Sequence, residues 1–93
     1  MHELNPLTEF FLSIKNDGRI SITHIAIYAA ILDFRIKSGF DNPIQVFSYQ
    51  IMEIAKISAG ATYRKCIKDL SEFGYIRYVP SFKNNQASKI YFV

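Results

Sequence analysis

A chain of 93 residues with a formal net charge of +3, 49% apolar residues, eight Phe, six Tyr and no Trp describes a globular protein with room for one core, and excludes a disordered one. At this length folding hides only about 60–65% of the surface an extended chain exposes, so large rings must supply much of that core. A lone cysteine, Cys66, excludes an intrachain disulfide, the longest apolar run, Ile25–Leu32, stops at Asp33, and no signal-peptide pattern opens the chain, which together point to a cytosolic protein.

In chain order, Asn5 and Pro6 offer an N-cap and a first helical residue, after which Leu7, Phe10, Phe11 and Ile14 recur at helical spacing. The pattern predicts a helix to about Lys15, ended by the turn cluster Asn16-Asp17-Gly18. Ser21 caps a second helix in which Ile22, Ile25, Ala26, Ala29, Leu32 and Ile36 form one stripe, with Ile27, Tyr28, Ile31 and Phe34 broadening it. His24, at the start of this helix, reads as a partly exposed structural residue. Arg35 and Lys37 sit against the negative end of the helix dipole, and Ser38-Gly39 stops the helix.

Asp41-Asn42-Pro43 reads as a turn, and Ile44-Gln45-Val46-Phe47 as a short strand whose partner lies in the C-terminal segment. Ser48 is the expected cap of a third helix, from Tyr49 to about Lys56, with Ile51, Ile54 and Ala55 turned inward. Only Ile57 and Ser58 separate it from the next helical pattern, and a connection this short forces two helices to cross steeply. Ser58 is the expected N-cap of that fourth helix, residues 59–73, and Gly74 its C′ residue.

Within the fourth helix Tyr63, Cys66, Ile67, Leu70 and Phe73 recur at the spacing of a core face. Cys66 on that face reads as a small core residue rather than a redox sensor, because reactive thiols need exposure and a cationic setting. Outside remain Gly60, Ala61, Thr62, Arg64, Lys65, Lys68, Ser71 and Glu72: small and hydroxylic at the first turns, basic through the middle. That order suits DNA, where the first turns of a recognition helix enter the major groove and later residues lie near phosphates. Gly60 and Ala61 either let the helix backbone approach closely or reflect weak local helix propensity.

Beyond Gly74, two β-rich runs, residues 75–82 and 87–93, flank a polar tip, Lys83-Asn84-Asn85-Gln86, and read as a hairpin with Pro80 at an edge or bulge. Lys83, Asn84, Asn85, Gln86 and Lys89 are candidates for contact with phosphates or the minor groove; for the asparagines a solvated turn is an equal alternative. Charge supports the nucleic-acid reading. Residues 56–93 carry +5 and residues 1–55 carry −2, an uneven distribution of the kind that attracts phosphate; a solvated surface with a chance bias is the alternative.

The segment from Ile54 to Ile76, with its helix, short turn, basic helix, glycine stop and strand, resembles the signature of winged helix-turn-helix DNA-binding domains. It is similar to MarR-type regulators and to the N-terminal domains of phage and plasmid replication initiators. The Pro80-Ser81-Phe82 segment adds a likeness to small winged-helix proteins of bacterial mobile elements. The resemblance covers roughly residues 21–92. It implies an α+β winged helix of order α-α-β-α-α-β-β, with residues 48–74 as the helix-turn-helix and residues 75–93 as the wing. By it Thr62, Arg64, Lys65 and Lys68 face double-stranded DNA, and Lys83 and Lys89 belong to the wing. A second domain for a small-molecule signal is not expected.

The expected function is that of a small bacterial transcriptional regulator; the alternatives are a DNA-binding component of replication or excision on a mobile element, and a winged helix used for protein contact. His2, His24 and Cys66 match no zinc spacing, and phosphate loops, nucleophile elbows and framed carboxylate pairs are missing, so no metal, cofactor or enzymatic activity is expected. One domain offers little area for tight specific binding, so a homodimer on two half-sites is expected. Its surface is either the first helix, through Leu7, Phe10 and Phe11, or another face, if that helix packs on the second helix of its own chain.

Overall fold

The computed structural model describes residues 6–83 and 85–93; the expected cap Asn5 and the candidate contact Asn84 lie outside the described residues. Four helices and three strands follow in the order α1 (Pro6–Ser13), α2 (Ile22–Lys37), β1 (Ile44–Val46), α3 (Ser48–Ala55), α4 (Gly60–Glu72), β2 (Ile76–Val79) and β3 (Ser88–Phe92). The result is an α+β fold with one antiparallel sheet of order β1-β3-β2. The element order is the one expected from sequence, and β1 does find its partner in the C-terminal hairpin, with Ile44 opposite Ile90 and Val46 opposite Ser88.

The sheet has an apolar inner face and a polar outer one, as the period of two in each strand requires. Ile44, Val46, Ile76 and Ile90 are buried while Gln45, Arg77 and Lys89 are exposed. β2 pairs with β3 from Ile76–Phe92 to Val79–Lys89. It stops at Val79 because Pro80 has no N–H to donate, so the expected strand to Phe82 is cut short and the loop between the strands spans residues 80–87.

α2 packs against α1, α3 and α4 and forms the centre of the helical layer. Its face differs from the expected one. Ile27, Ala30, Ile31 and Leu32 are buried, whereas Ile22 and Ile36 of the expected stripe are 86% and 58% exposed. The helix is apolar nearly all round, so spacing alone does not select a face. A capping box helps set its phase: the Ser21 hydroxyl accepts from the His24 backbone N–H, and the His24 ring Nδ1 accepts from the Ser21 backbone N–H at 2.9 Å. His24 is thereby buried at 5% exposure, not partly exposed as its position in the sequence suggests.

The helix ends show where glycine is required. Gly39 and Gly74 both have positive φ, and in each case the two backbone hydrogen bonds of a Schellman motif close the helix: Phe40 to Arg35 and Gly39 to Ile36, Tyr75 to Leu70 and Gly74 to Ser71. α3 ends on Lys56, a non-glycine at φ +64, whose successor Ile57 donates to the Met52 carbonyl at 2.9 Å. Two expected caps are corrected. Phe47, not Ser48, precedes α3, and the Gln50 side chain accepts from the Phe47 N–H at 2.9 Å. Ala59, not Ser58, precedes α4 and makes no side-chain cap, because the left-handed Lys56 and the turn after it place the first helical residue at Gly60.

α1 ends at Ser13, two residues before the expected Lys15, with the Ser13 hydroxyl donating to the Glu9 carbonyl. Phe10 is buried at 3% exposure, stacked on Tyr28 with centroids 3.9 Å apart and meeting Tyr75 edge-on at 5.4 Å. Phe10 therefore belongs to the core of its own chain and is withdrawn from any dimer surface; Phe11 and Leu12 remain exposed. The α1–α2 turn is tied to the other end of the fold by Asp17, which accepts from Arg19 Nε and Nη2 at 2.8 and 2.9 Å and from the Tyr75 hydroxyl at 2.6 Å. These bonds, that of Arg19 foremost, hold the Asp17 carboxyl far below the usual range. The Arg19 guanidinium also lies 3.9 Å over the ring of Phe73, which leaves that residue half-buried beneath a cation rather than in the core. No helix among the described residues is long and apolar enough to cross a membrane.

Candidate nucleic-acid interface

α4 is held on one side only. Tyr63, Cys66, Ile67 and Leu70 are buried against α2, α3 and β2, as the spacing predicts, and Ser71 Oγ accepts from the Tyr78 N–H at 3.0 Å, which anchors the helix to the sheet. The opposite face is free: Ser58, Ala61, Thr62, Arg64, Lys65 and Lys68 are exposed and Gly60 is half-buried. Ser58 thus stands at the entry to the helix as an exposed side chain.

The three cations on this face are not equivalent. Lys65 Nζ lies 3.1 Å from Asp69 Oδ2, one turn along the helix, and Asp69 also accepts from His24 Nε2 at 2.9 Å. The His24 bond first, then the Lys65 pair, draws the Asp69 carboxyl below its ordinary value, and Asp69 raises Lys65 in turn. Lys65 is therefore partly neutralised. Arg64 and Lys68 make no ion pair among the described residues, so their charges are fully available to an incoming anion. Arg64 folds back toward the first turn, where a Cβ added at Gly60 would lie 3.1 Å from its guanidinium. Since that neighbour is the flexible end of a side chain, the fold itself does not require glycine there.

The β2–β3 loop adds a second basic surface. Lys83, Asn85 and Gln86 are exposed, and Lys89 projects from the outer face of β3 beside Gln45 of β1. Residues 73–93 include Arg77, Lys83 and Lys89 and no Asp or Glu. Two outward features of this surface go beyond the candidates that spacing and charge suggest. Arg77 sits beside Tyr91 on the outer sheet face, its guanidinium 5.2 Å from the ring centroid. Phe82 is 95% exposed, although the sequence assigns it to a strand; the one local sign of this is the proline two residues before it. Gln45, Val79, Pro80, Phe82, Lys83 and Lys89 contribute to an open groove of about 500 Å³ at the base of the loop.

The fold also gathers residues that linear spacing keeps apart. Ligand atoms of His24, Cys66 and Asp69 lie within 4.8 Å of one another, a donor set that could in principle hold a metal. The protonation of His24 argues for a structural role instead. A backbone N–H can only donate, so Nδ1 facing the Ser21 N–H must be the acceptor, and Nε2 then carries the proton it gives to Asp69. A metal would need the lone pair that this proton occupies. Burial pushes the Cys66 thiol up, which further disfavours a thiolate ligand.

No family model, curated protein or solved structure matches this chain.

Proposed function

We propose that this chain is a winged helix-turn-helix that binds double-stranded DNA, with α3 and α4 as the helix-turn-helix and the β2–β3 hairpin as the wing. The observation that carries the reading is the pair of unneutralised cations, Arg64 and Lys68, on the solvent face of a helix whose other face is locked in the core. A helix fits the roughly 12 Å major groove, and the small side chains of Gly60, Ala61 and Thr62 at its first turns leave room for close approach to base edges. Thr62 is the base-reading candidate; the exposed Ser58, Arg64, Lys65 and Lys68 are the candidates for contact with base edges or phosphates, with Lys65 weakened by Asp69. Lys83, Asn85 and Lys89 of the acid-free hairpin extend the phosphate contact.

The role is that of a small cytosolic bacterial regulator acting as a homodimer on two half-sites. A replication or excision protein of a mobile element would make the same contacts. Selection of bound duplexes from a random pool, followed by titration across a salt series, tests the proposal. Removing Arg64 and Lys68 together should weaken binding and reduce the magnitude of the log affinity against log salt slope by about 1.8, one released counterion per phosphate contact. Thr62→Ala should change the preferred sequence and leave the slope in place. An unchanged slope in the folded double variant would remove α4 as the DNA-facing helix.

A further inference from the structure

We propose that Phe82 is an apolar wedge that enters the minor groove of duplex DNA and unstacks a base step, so that this protein bends the DNA it binds. The inference rests on the DNA-binding reading and assigns it a specific deformation. An aromatic ring exposed at 95% forfeits the burial its size would provide, well beyond the 65% and 67% of the next most exposed rings, Phe40 and Tyr49. The ring also sits among charges that suit nucleic acid. Lys83 follows it directly, Lys89 and Gln45 share its groove, and residues 73–93 contain no carboxylate side chain to repel phosphate.

The backbone that presents Phe82 is held on both sides. Pro80 restricts the approach from β2. Ser81 donates its N–H to Ser88 Oγ across the hairpin at 3.2 Å, and its own Oγ accepts from the Lys83 N–H at 3.2 Å, so the chain is pinned immediately before and after the ring. Gln86 N–H closes the tip on the Lys83 carbonyl at 3.2 Å. A side chain held this way reaches its target with little ordering cost on binding. The register of β1 with β3 ends at Val46 and Ser88, and β1 passes almost directly into α3, so the loop emerges at the end of the sheet where the helix pair begins. A hairpin tip is narrow enough for the roughly 6 Å minor groove, which a helix is not, and Phe is among the side chains that kink duplexes by insertion between base steps.

The test uses the full chain with a selected duplex carrying 2-aminopurine at successive positions and a donor–acceptor pair at its ends. The wild type should raise 2-aminopurine emission at one step and shorten the end-to-end distance. Phe82→Ala, at a fully solvated position, should keep the circular dichroism spectrum and the salt slope, weaken duplex binding about tenfold, within the range of an aromatic–base contact, and lose both optical signals. Phe82→Leu, which retains an apolar wedge, should recover part of them. Duplex binding by both proteins with identical emission and end-to-end distance overturns the wedge and leaves the DNA-binding reading standing. A loss confined to single-stranded oligonucleotides would make the ring a stacking platform and overturn the wedge. Absence of duplex binding by the wild type would sink the underlying reading as well.

Discussion

Replacing Phe10 with Ala is the most direct probe of whether α1 belongs to the core of its own chain. The ring is 3% exposed, stacks on Tyr28 with centroids 3.9 Å apart and planes 6° from parallel, and meets Tyr75 edge-on at 5.4 Å. Truncation of a buried Phe costs about 3–5 kcal/mol through lost transfer energy and the cavity left behind. Two ring partners on different elements, α2 and the residue entering β2, cannot both collapse into the hole, which places the cost at about 4 kcal/mol. A domain of this length is stable by only about 5–14 kcal/mol, so a large share would be lost. With a urea m-value of about 1.3 kcal/mol/M, the unfolding midpoint should fall by roughly 3 M. Phe10→Leu, keeping part of the volume, should cost about 1.5 kcal/mol. The midpoint should be followed by tyrosine fluorescence at several protein concentrations. A shift below about 0.5 M would refute the packing argument. A shift that shrank on dilution would instead return α1 to a subunit interface, because association stabilises the wild type only at concentrations where it pairs.

Acid should weaken the protein partly through Asp17. Its folded carboxyl lies below the unfolded value of about 3.9, so the stabilisation is present above that value and is lost as pH falls from about 4 toward the depressed folded value. Asp17→Asn should make the fall in melting temperature between about pH 4 and 2 shallower than in the wild type; equal slopes would exclude the Asp17–Arg19–Tyr75 cluster as a contributor. Lys56→Gly should raise stability by about 0.5–1 kcal/mol, because the residue closes α3 in the left-handed region, and a melting temperature below that of the wild type would show that the lysine stem contributes packing of its own. Cys66 is 6% exposed with its thiol pushed up by burial, so a disulfide reagent should label it slowly in native buffer and fast in denaturant; rapid native labelling would contradict its place in the core.

Local chemistry marks most of the element boundaries in the sequence itself. Ser21 at a helix start, Gly39 and Gly74 past helix ends, and the core stripe of Tyr63, Cys66, Ile67 and Leu70 all stand where their spacing puts them, because capping, left-handed backbone and helical periodicity act over only a few residues. The solvent face of α4 follows from the same periodicity by elimination, so Thr62, Arg64, Lys65 and Lys68 are legible as exposed side chains. Their inequality is not. Lys65 meets Asp69 at the same i,i+4 spacing that Lys68 has to Glu72, yet only the first forms an ion pair among the described residues, and Asp69 is also held by His24 from a helix 45 residues earlier, a relation that no local pattern contains.

The face of α2 is undecidable from sequence for a related reason: with apolar residues on nearly every side, the burial of Ile27 and Ile31 and the exposure of Ile22 depend on which neighbours pack against the helix. The same holds for Phe10, whose ring is core because Tyr28 and Tyr75 converge on it, and for Phe82, whose ring is exposed because Pro80 ends the strand and nothing among the described residues folds over the loop. Two phenylalanines of equal hydrophobicity end at 3% and 95% exposure. Burial is a property of the surrounding chain, set by contacts between segments far apart in sequence, and the side chain alone carries no record of it.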